Sequence, residues 1–520
     1  MQSGKQSQLQ LGVEVREFSR SFLNEYRDLR GAFGDPDGRR ANTSSYIDVD
    51  QLRRSSFYSP DEDAIRVVVG RKGSGKTLFL RRIRELVESG HRHGDSDSYL
   101  IFEAEQTQLK RTGQIVAVSR LYPESQLTET WQHLWGRAIL QSLLSHIALS
   151  PNFHRFFPEE EIQRLERDFP EQWADIGVEP RTPFSTLKKL IGDMSNEEPS
   201  AAALRLNRLM DDPVWDDLET RLARLIRSAP EIYCFIDAID EEFTHAPMEW
   251  MRCQKGLFYE VMRLLRHREL GGSLHIVISI RDLVLHSVFR SEHSPRYMGD
   301  SRIRLLEWDA ESASAFLDRK VRNLSRPNWG TQRRPRDFAD WIGISEIDGE
   351  SIYEYVARYT QCLPREMVLL GNLVSQQVQA GEVIEEGLRR AVRVISRVSA
   401  LTQLEVSANQ IRADSATRFV ERAEHYSGNQ EYTDRRAREL LTTISPYVRR
   451  RISAGALSEL RDRAIMELEA PDLPSVLWQN GLLGYVESDG SEVFFAFDVR
   501  GRFVIPNSSE YCFHPSLCEL

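Results

Sequence analysis

Apolar residues along this chain follow two spacings that succeed one another. Short β-branched or continuous apolar runs at 64–69, 99–102, 114–118, 232–236, 273–280 and 301–308 read as buried strands. Between them, apolar positions recur at the three-to-four-residue interval of a helix packed on one side, over 78–87, 127–147, 250–266 and 310–324. In the longest of these, the stripe Trp131, Leu134, Trp135, Ile139, Leu143 and Leu144 reads as core. Strands this apolar, alternating with helices, predict an α/β fold with a parallel sheet and with ligands at the carboxyl ends of its strands.

Two regions break the alternation. Residues 150–230 are rich in charge and proline, with short amphipathic helices at 158–169 and 204–210, and read as a helical insertion; Pro158 suits a first helical position. Beyond the core, 323–343 is a loop rich in proline, arginine and tryptophan. Helices are predicted at 352–360 and 365–380, the second opened by Pro364, and together they read as a helical lid. The last part is helical over 436–452 with a break near Pro446, and helical again over 454–468. A helix then ends at glycine and enters a strand over 475–486, and a hairpin of 492–497 with 511–514 follows. That succession suggests a winged helix, a module that either reads duplex DNA or docks on protein. The helix facing bases in such a module, 474–480, lacks any Lys or Arg, which favours docking. The plan is an N-terminal segment (1–60), a core (61–325) holding the insertion, a lid (326–405), a helical linker (406–440) and a winged-helix-like unit (441–520).

Composition changes this picture little. A chain of 520 residues is long enough for several domains, and no apolar run reaches the length of a membrane span. The first residues lack the apolar core of a signal peptide. The cysteines Cys234, Cys253, Cys362, Cys512 and Cys518 are scattered without a C-x-x-C pair, so a reducing cytoplasm is expected. The formal charge of −10 argues against a generic nucleic-acid coat. The stretch 389–451 nevertheless carries thirteen arginines against seven carboxylates, either as solvated helices or as a surface for an acidic partner.

The strongest chemical signal follows the first strand. Gly70-Arg71-Lys72-Gly73-Ser74-Gly75-Lys76-Thr77 fits the Walker A pattern, and a helical stretch from Leu78 continues it. Several backbone N–H groups must converge on a triphosphate, and glycines let the chain wrap that closely. The helix N-terminus adds its own unpaired donors. Lys76 then places a charge on the phosphates, and the Thr77 hydroxyl ligates Mg²⁺. The strand at 232–236 ends in Asp237-Ala238-Ile239-Asp240-Glu241, a Walker B pattern: Asp237 completes the Mg²⁺ shell, and Asp240 or Glu241 polarises water. The strand at 273–280 ends at Arg281, with Ser279 as the second choice for a group reporting the γ-phosphate, against an edge salt bridge. Arg365, on the first turn of the lid helix, is a second candidate sensor. Phe33 or the pair Phe57 and Tyr58 either cover an adenine or pack on the core.

These motifs, with Leu306-Glu307-Trp308 and Pro364-Arg365-Glu366 in the same order, resemble bacterial P-loop ATPases related to the STAND and AAA+ (initiator-like) NTPases, with a helical lid and a winged helix after the ATPase core. The resemblance implies ATP and Mg²⁺ as ligands, slow hydrolysis, and use of the nucleotide state as a conformational switch. It also implies a role of the kind found in phage-defence operons. STAND proteins usually carry a fused effector and a sensor repeat, and this chain shows neither, so a switch here needs a protein partner or self-association. A DNA-binding, initiator-like ATPase is the alternative that the same resemblance offers.

Overall fold

The structure is a computed structural model of the chain and describes residues 18–42, 65–92, 99–102, 124–195, 197–237, 247–267, 270, 272–289, 294–381, 385–414, 430–449, 451–495 and 504–520. Its centre is a five-stranded sheet of β1 (Val67–Gly70), β2 (Tyr99–Phe102), β3 (Ile232–Ile236), β4 (Leu274–Arg281) and β5 (Ile303–Leu305). All its pairings are parallel, in the order β2-β3-β4-β1-β5. The chain is therefore α/β, as the periodicity predicts. The strand expected at 114–118 lies outside the described residues.

Parallel strands need both faces covered, and β1 shows how this is met. Val67 and Val69 point into the large core, while Val68 joins Phe79, Leu80 and Ile83 of helix Lys76–Arg92 on the other face. Helices Glu124–Leu149 and Pro247–Arg266 pack tightly against each other within the large core. Trp131, Leu134 and Trp135 are fully buried there, and the Trp135 indole donates to the Cys253 carbonyl at 3.0 Å. A fully buried leucine contributes about 1.5–3 kcal/mol, so this seam anchors the insertion to the sheet. The insertion is all-helical among its described residues, from Pro151–His154 to Val214–Ile226. Pro158 caps helix Glu159–Asp168 from an extended conformation (φ −61°, ψ 136°) instead of entering its first turn.

Three elements differ in extent from expectation. The strand after Ser301 shortens to Ile303–Leu305, leaving Trp308 beyond it. The polar spacing of 385–414 hides one continuous 30-residue helix, Glu385–Asp414, which runs through the expected lid boundary at 405. A short pair, β6 (Glu346–Ile347) and β7 (Glu350–Ser351), precedes helix Ile352–Tyr359 in the lid. In the C-terminal unit, helix Gln430–Ile444 gives way to a 3-10 turn at Ser445–Tyr447, and helices Ala454–Leu468 and Leu473–Gln479 follow. They pack on an antiparallel sheet of β8 (Ile452–Ser453), β9 (Leu483–Val486), β10 (Glu492–Phe494) and β11 (Glu510–Phe513), in the order β10-β9-β11-β8. The expected hairpin is thus corrected: β10 and β11 do not pair with each other, because β9 lies between them and pairs with both. No described helix is long and apolar enough to cross a membrane.

Candidate active site at the carboxyl edge of the sheet

β1 ends at Gly70, and the chain turns through Gly73 (φ +89°) and Gly75 (φ +91°) into helix Lys76–Arg92. Positive φ of this size excludes ordinary side chains at both positions. Gly70 is required for a different reason: a Cβ there would lie 2.4 Å from Ser74 Oγ. Lys76, buried, donates from Nζ to the carbonyl oxygens of Gly70 (2.9 Å) and Arg71 (3.0 Å), so its charge is held against the loop.

The sheet order places β4 between β1 and β3, and the three strand ends converge. Thr77 Oγ1 donates to Asp237 Oδ2 at 2.7 Å, and Ser279 Oγ donates to Asp237 Oδ1 at 2.6 Å. Both carboxylate oxygens are thereby fixed by hydroxyls from separate elements, in charge-assisted bonds. Two hydroxyls and a carboxylate form a hard oxygen cluster of the kind Mg²⁺ prefers. The structure thus brings Lys76, Thr77 and Asp237 together, and of the two candidates on β4 it puts the Ser279 hydroxyl on Asp237. Arg281 is buried one pleat further on, where its backbone N–H donates to Gln254 Oε1 at 3.2 Å. Asp240 and Glu241 lie outside the described residues.

Arg365 comes to the same loop from the lid. Its N–H belongs to the first turn of helix Pro364–Ala380, where it has no partner within the helix, and donates to the Gly73 carbonyl at 3.3 Å. Its Nε donates to the Pro36 carbonyl at 3.3 Å. Residues 36–41 are held against helix Lys76–Arg92 by Arg81, whose Nη1 donates to the carbonyls of Gly38 (2.8 Å), Arg39 (3.0 Å) and Ala41 (2.8 Å). Gly38 approaches so closely that a Cβ would sit 3.3 Å from the Leu78 nitrogen. Phe33 packs on the lid, its ring 5.3 Å from Trp341, and is 2 % exposed. Phe57 and Tyr58 lie outside the described residues. Sequence reasoning missed Arg81 and also Trp308, whose indole donates to the Ser74 carbonyl at 3.0 Å. Arg81 falls four residues after Thr77, on the same helical face, which is the available signal.

The remaining loop side chains turn away from this cluster. Lys72 acts electrostatically on Glu405 of the long helix Glu385–Asp414. Arg71 is directed at the C-terminal unit: Nη2 donates to the Gln479 carbonyl at 3.3 Å, and Gly481 (φ +67°) leaves room for the guanidinium. Gln361, in the turn before the lid helix, donates to the neighbouring Asn480 carbonyl at 3.0 Å. A helix ends with unpaired carbonyls, and these two donors satisfy them. Burial lowers the Arg71 pKa below its ordinary value, with Asp282 and Glu366 opposing and Arg281 reinforcing. Burial raises the Glu366 carboxyl, while the N–H groups of Gln361 and Leu363 that it accepts pull it back. His514 closes the junction, pushed down to about 4 by burial and by the charge of Arg71, against a hydrogen bond with the Thr360 backbone. Cys362, in the same turn, adopts φ +58°, a conformation costing a non-glycine residue about 1 kcal/mol or more.

Comparison of the chain with protein-family models, with curated proteins and with solved structures gave no significant match. The functional reading therefore rests on this geometry and on the motifs.

Proposed function

We propose that this chain is a P-loop ATPase that binds ATP with Mg²⁺, hydrolyses it slowly, and uses the nucleotide state as a conformational switch on its C-terminal unit. The observation that carries the reading is the Thr77–Asp237–Ser279 cluster. A threonine following a glycine-loop lysine meets a strand-end aspartate 160 positions away.

Backbone N–H groups of the glycine loop and of the first turn after it, with the Lys76 ammonium, would take up phosphate oxygens. Thr77 and Asp237 would hold Mg²⁺, which when bound neutralises charge on the phosphates. Asp237 is oriented by its two hydroxyl donors. Asp240 or Glu241 would orient a water toward the γ-phosphorus; the new P–O bond forms as the bond to the ADP oxygen breaks. Arg365, resting on Gly73, and Arg281, at the end of β4, are the proposed reporters of that phosphate. The message would pass through Arg71, because the residue after Gly70 is bonded to the end of helix Leu473–Gln479. Every residue of that helix is buried. This favours an internal lever over a base-reading helix, with the output going to a protein partner or to self-assembly, as in an antiphage system with a separate effector.

The test is ATP turnover and nucleotide affinity in the full chain and in Lys76→Ala. Slow, Mg²⁺-dependent turnover is expected, with affinity falling at least about 100-fold in the variant, as for loss of a principal charge contact. An unchanged dissociation constant would remove the glycine loop from nucleotide binding.

A further inference from the structure

Arg322 ends helix Ala310–Arg322, and Arg326, Arg333, Arg334 and Arg336 lie in the connection from it to helix Phe338–Ile342. No Asp or Glu occurs from 319 through 336, and all five arginines are exposed. In a chain of formal charge −10, this is a concentrated basic surface.

A solvated charge run has no need of a fixed backbone, and this one is held at many points. The Trp329 indole donates to the Leu324 carbonyl (3.0 Å), and Trp341 donates to the Asn328 carbonyl (2.9 Å). Gln379, near the end of the lid helix, donates to Asn328 Oδ1 at 2.8 Å. Gly330 (φ +71°) packs so closely that a Cβ would strike Val378. The arginines are brought together by the loop itself: Arg322 Nε donates to the Arg336 carbonyl at 2.9 Å, and Arg334 donates to the Arg322 carbonyl. Arg333 and Arg336 flank Asp340 at 3.6 and 3.5 Å. Their side chains remain 69 % and 74 % exposed, so these loose pairs neutralise little.

Of the nearby acids, Asp337 caps its helix by accepting from the Asp340 N–H, and Asp318, 3.9 Å from Arg322 Nη2, accepts from the Phe338 N–H and the Tyr353 hydroxyl. Between the guanidiniums stand Asn323, Ser325, Thr331 and Gln332, all exposed and polar.

We propose that this loop is a binding surface for the phosphate backbone of duplex DNA. Fixed guanidiniums interleaved with hydroxyl and amide side chains are the groups that contact phosphate without reading sequence. An interface with a protein needs an apolar centre, and the one exposed apolar side chain of the loop is that of Pro327, with Trp329 half-buried. A single strand needs aromatic platforms for its bases, and the Trp329 indole is tied to the Leu324 carbonyl. This assignment is independent of the ATPase reading and of helix Leu473–Gln479.

Fluorescence anisotropy of the full chain with a labelled random-sequence duplex, across a salt series, tests it. Affinity should fall with salt, and the variant Arg326→Ala/Arg333→Ala/Arg336→Ala should bind about 10–100-fold more weakly at low salt. Its log–log salt slope should be shallower by about two to three, roughly one per phosphate contact removed. Thermal melting checks that the variant folds, and Arg333→Glu, whose side chain supports no loop backbone, gives the same reading if it does not. Arg164→Ala/Arg167→Ala, an exposed pair on the insertion, should leave binding unchanged. Lys76→Ala should lose ATP and keep DNA, which separates failure of this proposal from failure of the ATPase reading. Duplex RNA bound equally, with the same loss in the variant, also supports a backbone surface. No duplex binding at low salt, an unchanged slope in the variant, preference for a single strand, or displacement by polyglutamate as effective as by DNA would each overturn it.

Discussion

At the sheet edge, the Thr77 and Ser279 hydroxyls donate hydrogen bonds to a carboxylate; at the end of helix Leu473–Gln479, N–H groups of Arg71 and Gln361 donate to main-chain carbonyls. The first centre gathers side chains that can exchange partners, since hydroxyls and a carboxylate pass readily from one another to a cation. The second has acceptors that belong to the backbone and cannot turn away without moving the helix. One is therefore suited to chemistry and the other to transmitting position, and Arg71 belongs to the loop of the first while bonding to the second. Strain at Cys362 and three ionisable groups, the half-buried Arg71 and the buried Glu366 and His514, gather at the second centre.

The largest effect that would break this comparison is on turnover. Asp237→Asn is expected to reduce steady-state ATP hydrolysis by about 10²–10³-fold while changing nucleotide affinity far less, and Ser279→Ala to cost about tenfold, since it removes only one of two donors. Normal turnover in Asp237→Asn would detach the cluster from the chemistry.

Next in size is the division of labour at Arg71. Arg71→Ala should leave ATP affinity within a few-fold, yet abolish the nucleotide dependence of hydrogen exchange over residues 473–486. It should also destabilise the chain by about 1–3 kcal/mol, because a buried carbonyl loses its donor. A large loss of ATP affinity with unaltered exchange would put Arg71 at the phosphates instead.

The smallest effect is the pH response. His146, His275 and His514 are each pushed down to about 4, chiefly by burial. His275 Nδ1 lies 2.7 Å from Arg66 Nη2 and must be unprotonated to accept from it. A depressed folded-state pKa means that the unfolded chain binds protons first. The contribution of these histidines is thus complete above about pH 6.5 and declines as pH falls toward 4, by up to about 1.4 kcal/mol per pH unit for each. Glu366, held above its ordinary value, runs the opposite way: its carboxyl favours the fold as pH falls, an advantage lost as pH rises through its folded-state pKa. Denaturant unfolding at pH 7, 5.5 and 4.5 should show a net decline that His514→Gln makes shallower. An unaltered slope in that variant would show His514 to be solvated.

Much of the core was legible because its signals are local. The β-branched run before Gly70, the glycine spacing and the helical period after Thr77 are all contained in about twenty-five residues, and the structure follows them. Asp237 is legible as the polar end of an apolar run, and Asp309, an acid directly before a helical stretch, caps that helix by accepting the Ser312 N–H at 2.7 Å. Ser279 ranked below Arg281 because charge is the louder signal, whereas contact with Asp237 depends on which strand lies between β1 and β3. Adjacent apolar runs suggest a C-terminal hairpin, whereas the sheet places β9 between the two strands.

The sequence by itself determined the groups that must sit on one short stretch: positive-φ glycines, a lysine and a threonine at a helix start, an aspartate at a strand end. Their spacing along the backbone is also their spacing in space. The tertiary structure decided what each group touches across long chain separations, including Thr77 with Asp237, Arg365 with Gly73 and Arg71 with Gln479. No periodicity encodes those meetings, because they depend on strand order and on how the lid and the C-terminal helices fill the volume around the loop.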